Sequence, residues 1–225
     1  HAVAKKHNLL VIEDAAHALG ASYNGQPIGT HSDYVCFSFQ AIKQLTTADG
    51  GAIASKTAAD DQAIKKLRWF GLDRKFPGSR WEQDITVLGY KSHMNNVNAA
   101  IGLEQMKYLS GNIAKHIENG RFYDRHISNP KIQTLERSPK SIPSYWIYTI
   151  LCDERKHLMA YLEEKDIASD IVHVRNDKYS IFKEFHKEGL KGCDYFASRM
   201  LNIPVGWWLS IEDRERIVEL LNAYR

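Results

Sequence analysis

The stretch LLVIED at residues 9–14 decides how the chain folds, because four apolar residues in a row are closed by two carboxylates. An uninterrupted apolar run of this length predicts a strand that is buried on both faces, as in a parallel sheet. The preceding HAVAKKH at residues 1–7 is typical of the last turn of a helix that leads directly into a strand. We therefore expect that a further segment of the fold precedes residue 1.

Strand and helix patterns alternate after this run. The aromatic and β-branched residues YVCFSF at 34–39 predict a second strand, and AIA at 52–54 predicts a third. Thr57, with Asp60 three positions later, is typical of a helix start. This alternation predicts an α/β layer with a parallel or mixed sheet.

The second half of the chain predicts a smaller unit of different character. Residues 74–90 contain Pro and Gly and predict a loop, and a long helix is expected from about Asn96. A connection with Pro and Ser at residues 129–143 is the expected domain boundary. We expect a large domain over residues 1–128 and a small α+β domain over residues 129–225.

Within the small domain, the pattern predicts strands at residues 145–152 and 167–174 on either side of a helix at residues 154–164. Ser210 and Asp213 form a capping box at the start of a closing helix. The apolar residues of that helix recur on one face, which predicts that it packs against the small domain.

Composition excludes several classes of protein. The 225 residues hold 30 Lys and Arg against 27 Asp and Glu, with 44% hydrophobic residues, which excludes a disordered chain and allows a sizeable core. Basic residues alternate with acidic ones and no apolar run reaches about 18 residues, so neither nucleic acid nor a membrane is an expected partner. The cysteines at positions 36, 152 and 193 show no paired spacing, which favours the cytoplasm. No cluster has metal-ligand spacing, so no metal is expected.

Three residues near predicted strand ends could carry chemistry. Asp14 stands at the carboxyl end of a strand, where α/β sheets place ligands, and it either pairs with a cationic ring nitrogen or metal or caps the following turn. Lys43 follows an apolar strand, and it is either a partly desolvated amine able to form a Schiff base or an ordinary loop lysine. Ser38 either binds a phosphate or is a plain strand serine.

Several runs taken together resemble one known family. They are VIEDAAHALGASYNGQPIGTHSD, FSFQAIKQLTTADGGAI, RWFGLDR, LGYKSHMNNVNAAIGLEQM and, near the end, NIPVGWWLSIEDRERIVELL. In this order and spacing they resemble the DegT/DnrJ/EryC1/StrS family of sugar aminotransferases, which use pyridoxal 5'-phosphate (PLP). The resemblance implies an α/β fold of the aspartate-aminotransferase-like type (fold type I), with a mixed sheet and a smaller C-terminal α+β domain.

The resemblance assigns roles to the residues already singled out. Asp14 matches the carboxylate that keeps the pyridine nitrogen of PLP protonated, so that the ring acts as an electron sink. Lys43 matches the Schiff-base lysine, which also moves the proton between substrate and cofactor. Ser38 matches a ligand of the PLP phosphate.

Two positions depart from the family pattern. His17 stands where the family has Gln beside the PLP ring, and its imidazole could still stack or donate a hydrogen bond. Lys91 stands where many relatives have the Asn of GYNYRM, which contacts the PLP phosphate of the partner subunit. A lysine could make the same contact with a full charge, which implies a homodimer with composite sites. Alternatively, Lys91 marks a subgroup that holds the phosphate or substrate differently.

The resemblance also implies the reaction. We expect amino transfer from an amino acid, taken to be glutamate, to a keto-deoxysugar nucleotide, with Arg68, Arg74, His173 and Arg175 as candidate substrate contacts. A sugar dehydratase on the same scaffold is an alternative, but dehydratases of this group carry His in place of the Schiff-base lysine. A non-catalytic binding or regulatory protein is a second alternative, which the presence of Lys43 and Asp14 makes weaker.

Overall fold

The computed structural model describes all 225 residues, which form six α-helices and nine short strands. The helices are α1 (Ala2–Lys6), α2 (Ala58–Leu67), α3 (Asn96–His126), α4 (Arg155–Glu163), α5 (Lys191–Arg199) and α6 (Ile211–Ala223). The strands are β1 (Ile12–Asp14), β2 (Ser22–Tyr23), β3 (Gln26–Pro27), β4 (Tyr34–Ser38), β5 (Gly51–Ser55), β6 (Ile132–Thr134), β7 (Ser141–Ile142), β8 (Tyr148–Cys152) and β9 (Met200–Ile203). Two 3₁₀ helices cover Asn176–Lys178 and Ser180–Phe185. None of the helices is both long enough and apolar enough to cross a membrane.

The chain divides into two compact units. The first contains residues 1–111 and 140–144, and the second contains residues 112–139 and 145–225. Helix α3 and the short segment at residues 140–144 carry the chain from one unit to the other. The predicted boundary after residue 128 falls inside the second unit, because the C-terminal part of α3 packs with the elements that follow it.

A three-stranded mixed sheet forms the centre of the first unit, with the order β1-β4-β5. Strands β1 and β4 run parallel, and β4 and β5 run antiparallel. Helix α2 begins as predicted, because the Thr57 side chain accepts a hydrogen bond from the backbone N–H of Asp60. The alternation of strands and helix read from the sequence is thus confirmed for this unit.

The prediction that the first strand is buried on both faces is wrong. The exposed fractions of Leu9, Leu10 and Ile12 are 60%, 74% and 71%. Strand β1 pairs only with β4 and forms one edge of the sheet, and no other part of this chain covers these apolar side chains. An apolar run indicates what a strand needs to bury, but it does not show which segment buries it.

A short segment, which we call the strap (residues 140–144), lies against a hairpin of the first unit. Strands β2 and β3 form this hairpin, which the sequence indicated only as turns, and β7 within the strap pairs antiparallel with β2. The Asn24 N–H donates to the Lys140 carbonyl at 2.7 Å. Backbone hydrogen bonds therefore hold the strap against the hairpin. Most of the strap belongs to the connection that the sequence predicted as a domain boundary.

The second unit packs helices against an antiparallel sheet of order β6-β8-β9. Every residue of β8 and β9 is buried, and α4 and α6 cover the sheet with Leu158, Leu162, Ile217 and Leu221. The capping box of Ser210 and Asp213 is confirmed.

The strand predicted at residues 167–174 is wrong. This segment makes only one bridge, between Asp170 and Asn202, and then runs into the two 3₁₀ helices. The third strand of the sheet is instead β9. The error has a physical cause, since apolar residues of an irregular edge segment can alternate as those of a strand do.

Helix α3 buries His116 in the second unit, where only 2% of the residue is exposed. Its Nδ1 lies 2.8 Å from the Tyr145 carbonyl oxygen, so this nitrogen must carry the proton that is donated. Its Nε2 is buried without a hydrogen-bond partner, and burial lowers the pKa of the imidazole. The fold therefore accepts His116 in its neutral form.

We expect acid to destabilise this unit through His116. Because the folded-state pKa is lowered, the unfolded chain takes up the proton first, so stability declines as the pH falls below the ordinary value of about 6.5. In the variant His116→Asn, which cannot titrate, the unfolding free energy should depend less steeply on pH. Urea unfolding between about pH 7 and pH 5 measures both slopes, and equal slopes would contradict this account.

Candidate active site

The parallel pairing of β1 and β4 brings their polar residues to one end of the sheet. Asp14 is the last residue of β1 and is in register with Cys36, while Ser38 ends β4 two residues later. Residues in register, and residues two apart on a strand, share a face of the sheet. Asp14 and Ser38 therefore lie on the same face, at the carboxyl ends of neighbouring strands.

Asp14 presents its carboxylate at the surface of the chain. One oxygen, Oδ1, accepts a hydrogen bond from the Ala16 N–H at 3.0 Å, which fixes the side chain at the end of β1. The carboxylate thus keeps acceptor capacity for a group that approaches the end of the sheet.

Lys43 lies in an irregular loop, residues 39–50, that joins β4 to β5. Its N–H donates to the Gln40 carbonyl at 2.9 Å, and the Gln40 N–H donates to Ser38 Oγ at 3.3 Å. These bonds fold the start of the loop into a turn that holds Lys43 close to the end of the strand.

The environment of the Lys43 amine differs from that of a surface lysine. Partial burial lowers the pKa of the ammonium group, while the negative charge of Asp14 raises it by a smaller amount. The two side chains are therefore close enough to interact electrostatically. A lysine with a lowered pKa is more often present as the neutral amine, which is the form that attacks a carbonyl carbon.

A second group of residues lies where the segment around Tyr90 runs beside the end of α2. The Tyr90 N–H donates to the Leu67 carbonyl at 2.7 Å, and the Tyr90 carbonyl accepts from the Phe70 N–H at 3.1 Å. The Ser92 N–H donates to the Arg68 carbonyl at 2.9 Å. This pairing brings Lys91 beside the RWFGLDR stretch.

Two glycines permit the close approach of these segments. Gly71 has φ +80°, and a Cβ at Gly89 would lie 2.0 Å from the Gly71 nitrogen. A side chain at either position would push the segments apart. The glycines of the two motifs are therefore needed to place Lys91.

Three cations lie close enough to His93 to act on its charge: Arg68, Arg74 and Lys91, which we call the cationic cluster. Desolvation lowers the pKa of His93, and the positive charges of the cluster lower it further. The Trp69 ring meets the His93 ring edge-on at 4.0 Å, and the Arg74 guanidinium lies 5.4 Å from the centre of the Trp69 ring. His93 Nδ1 is buried without a hydrogen-bond partner.

The charge of the cationic cluster is not neutralised by the acid nearest in sequence. Asp73, the acid of the RWFGLDR stretch, pairs instead with Lys66 at 3.9 Å. A cavity of about 310 Å³ lies beside Arg74 of the cluster, and its lining includes Trp69, Arg80 and the one acid Asp73. Concentrated positive charge next to a cavity favours an anion such as a phosphate.

The donor set at the end of the sheet fits PLP. Lys43 offers an amine for the aldehyde, and Asp14 offers a carboxylate for the ring nitrogen. Ser38 Oγ already accepts from Gln40, which leaves its O–H to donate to a phosphate. The Gly51 position beside Ser38 has no room for a side chain, since a Cβ there would lie 2.5 Å from the Phe37 carbonyl oxygen.

The remaining predicted residues lie outside these two groups. His17 is exposed in the turn that follows Asp14. His173 and Arg175 belong to the second unit. The Arg175 guanidinium binds the carboxylates of Asp177 and Asp194, so its charge is already paired. The predicted roles of these residues stay predictions.

Sequence reasoning missed two residues that the structure brings to this region. His93 could have been found, because it lies two positions from Lys91 in an extended segment and so shares its face. Gln44 gave no signal, because the partner of its side chain is 100 residues away in the chain.

Comparison with known proteins gives a consistent result. The family model for the DegT/DnrJ/EryC1/StrS aminotransferases matches residues 1–222. The chain is 31% identical to the UDP-4-amino-4,6-dideoxy-N-acetyl-beta-L-altrosamine transaminase of Campylobacter jejuni subsp. jejuni serotype O:2, over 96% of this chain and 59% of that protein. It is 30% identical to the dTDP-3-amino-3,6-dideoxy-alpha-D-galactopyranose transaminase of Aneurinibacillus thermoaerophilus, over 99% of this chain and 60% of that protein.

Solved structures agree with the sequence comparison. The structure of AtS13 from Actinomadura melliaura matches with a TM-score of 0.93 and 36% identity, over 100% of this chain and 61% of that one. A sugar aminotransferase of Micromonospora echinospora matches with a TM-score of 0.93 and 32% identity, over 100% and 61% of the two chains. These neighbours confirm the predicted aspartate-aminotransferase-like fold. The chain spans about three fifths of the length of the proteins that it matches.

Proposed function

Because this chain belongs to the DegT/DnrJ/EryC1/StrS aminotransferase family, we propose that the protein it spans is a PLP-dependent aminotransferase. Its expected substrate is a nucleotide-linked keto-deoxysugar, and its expected amino donor is an amino acid such as glutamate. The observation that carries the proposal is the pair formed by Lys43 and Asp14. A half-buried amine of lowered pKa beside a carboxylate, at the carboxyl ends of two parallel strands, suits this chemistry.

Each residue of the pair has a separate task in the proposed reaction. Bound PLP supplies an electron sink that stabilises negative charge on the substrate while the amino group is exchanged. Asp14 holds a proton at the ring nitrogen, because an ionised carboxylate favours a charged partner. Lys43 Nζ would hold the aldehyde carbon of the cofactor and, as a free amine, would move the proton between the substrate carbon and the cofactor. Ser38 would donate its O–H to the phosphate.

The cationic cluster supports a phosphorylated substrate. Arg74 and Arg80 line the cavity described above, and a nucleotide sugar carries a diphosphate that needs such positive charge. The named relatives are transaminases of UDP- and dTDP-linked amino sugars. We propose that the products enter surface-glycan assembly, including lipopolysaccharide, or antibiotic-sugar assembly.

We further propose a homodimer in the cytoplasm. The first half of α3 exposes large apolar side chains, with exposed fractions of 70% for Val97, 68% for Leu103 and 59% for Met106. Exposed apolar surface of this kind favours a protein partner, and a second copy suits a site shared through Lys91. The three free cysteines suit a reducing compartment.

A direct assay tests the proposed function. The purified protein is loaded with PLP and incubated with glutamate and a panel of keto-sugar nucleotides, and release of 2-oxoglutarate is followed by mass spectrometry. Release that depends on both the sugar and PLP would support the proposal. Loss of a sugar hydroxyl without 2-oxoglutarate would identify a dehydratase, and PLP binding without any turnover would identify a binding protein.

We expect Lys91→Ala to weaken PLP binding by roughly 10- to 150-fold, because a charge-assisted contact to phosphate contributes about 1.5–3 kcal/mol. Equilibrium dialysis of the cofactor measures the effect. The control variant Lys75→Ala removes an exposed lysine of the neighbouring loop and should bind PLP normally.

Mixing subunits tests whether the contact is made across a dimer. In a heterodimer of Lys91→Ala and Lys43→Ala subunits, both lesions fall on one site and the other site keeps both lysines. Activity should therefore reappear in the mixture, although each parent is impaired. If mixed dimers, confirmed by native mass spectrometry, show no more than the sum of the parents, Lys91 does not act across the interface.

A further inference from the structure

The loop that carries Lys43 is attached to a distant segment through its neighbour Gln44. The Gln44 side chain is buried, with 6% of the residue exposed. Its Nε2 donates a hydrogen bond of 2.8 Å to the Ser144 carbonyl, the last residue of the strap. This bond ties the middle of the loop to a segment 100 residues away in the chain.

The strap is attached on its other side to the segment that follows Asp14. Turns at residues 15–21 connect Asp14 to β2, and Ser22 of β2 is in register with Ile142 of the strap. The strap thus connects the segment that follows Asp14 to the loop that contains Lys43, the two residues that the proposed reaction needs.

The ends of the loop are held by different bonds. The Thr47 N–H donates to the Phe39 carbonyl at 2.8 Å, and Thr47 Oγ1 donates to the Asp49 carbonyl at 2.9 Å. Both bonds close the loop on itself, and the far end of the loop is fixed to α3, since the Asn98 side-chain amide donates to the Asp49 carbonyl at 2.8 Å. Gln44 supplies an attachment to the strap immediately beside Lys43.

We propose that Gln44 is a positioning residue, which holds Lys43 at its working distance from Asp14 through the bond to the strap. The proposal explains why a buried amide stands at this position. A neutral amide donates to the carbonyl and adds no charge beside Lys43 and Asp14, whereas an apolar residue would leave the buried Ser144 carbonyl without its donor. Gln44 itself is not placed to touch cofactor or substrate in this account.

The titration of Lys43 distinguishes positioning from a purely structural role. The rate at which a reagent acylates Lys43, followed by mass spectrometry of the full chain over a range of pH, reports its pKa without any cofactor. In Gln44→Met, which keeps the length but not the donor, the loop should loosen and Lys43 should become more solvated. Because burial is what lowers the pKa of Lys43, the pKa should rise towards its ordinary value.

A matched control separates this effect from general destabilisation. Asn129 is a buried amide of the second unit that donates to the Leu221 and Tyr224 carbonyls at 2.9 and 2.7 Å. Asn129→Leu should lower the unfolding temperature but leave the titration of Lys43 unchanged. If Gln44→Met does not fold, Gln44→Ser provides the same test, since a small polar side chain leaves room for a water to bond the Ser144 carbonyl.

In the holoenzyme, Gln44→Met should lower kcat roughly 10- to 100-fold with little change in KM, because a small displacement of a reacting group costs rate more than binding. If a folded Gln44 variant leaves the pKa of Lys43 unchanged, the proposal is wrong. It is also wrong if Asn129→Leu changes that pKa by the same amount. The catalytic role of Lys43 rests on the proposed function, but the pKa of Lys43 can be measured whether or not the protein binds PLP. Failure of PLP binding would therefore count against the proposed function and leave this inference standing.

Discussion

Replacing Lys43 with alanine is expected to abolish transamination, with turnover reduced by roughly four to six orders of magnitude. In the proposed reaction the lysine supplies both the covalent attachment of the cofactor and the proton transfer at the substrate carbon. The visible absorbance of bound PLP should change as well, because alanine cannot bond to the aldehyde. Steady-state 2-oxoglutarate release and the absorbance spectrum measure the two effects separately.

The fold should survive this substitution. Lys43 is only partly buried, and the turn that carries it is held by backbone atoms, so thermal stability should change little. Lys5→Ala, which removes an exposed lysine of α1, is the control for the loss of one positive charge. Near-normal turnover of Lys43→Ala, in the absence of added amines, would show that another residue is the catalytic lysine.

Replacing Asp14 with asparagine is expected to cost several orders of magnitude in rate while leaving PLP bound. A neutral amide cannot hold a proton at the ring nitrogen, so the cofactor loses its capacity as an electron sink. The amide oxygen can still accept the hydrogen bond from Ala16, so folding should change little. Single-turnover measurements with glutamate would place the loss in the chemical step and not in binding.

The neighbouring carboxylate provides a matched control for Asp14. Glu13 points to the opposite face of the sheet, where Ser32 donates its hydroxyl to Glu13 Oε2 at 2.8 Å. Glu13→Gln removes the same charge one residue away and should retain activity. Equal rates for Asp14→Asn and the unmodified protein would refute the assignment of Asp14 to the ring nitrogen.

The Asp14 variant also affects Lys43. Since the Asp14 charge raises the pKa of Lys43, its removal should lower that pKa further, which is opposite to the change expected for Gln44→Met. The two variants therefore distinguish loss of a charge from loss of position. A common direction of change in both would mean that the two substitutions disturb the loop in the same nonspecific way.

The parts of the site that the sequence predicted are those built from neighbouring residues. Asp14 and Ser38 could be placed because each ends a strand that its own pattern predicts, and strand ends meet at one edge of a parallel pair. Lys43 could be placed near them because only four residues separate it from Ser38. The local residue pattern was sufficient to predict site residues that lie on consecutive segments of the chain.

The parts that the sequence did not predict depend on distant segments. The bond from Gln44 to Ser144, and the approach of Lys91 to Arg68, are made by residues whose own neighbours give no sign of the partner. The prediction of burial was wrong for the same reason, since Leu9, Leu10 and Ile12 are apolar but no segment of the chain covers them. The residue pattern of a segment shows that its side chains need burial or a hydrogen-bond partner. It does not show which distant segment supplies them.

The exposed edge of the central sheet has a consequence for handling the protein. Strand β1 leaves one row of backbone N–H and C=O groups without a neighbouring strand, next to the exposed Leu9, Leu10 and Ile12. An apolar edge of this kind is a template on which strands of other molecules can add, which leads to aggregation. For this chain alone, we therefore expect association through this edge to increase with protein concentration.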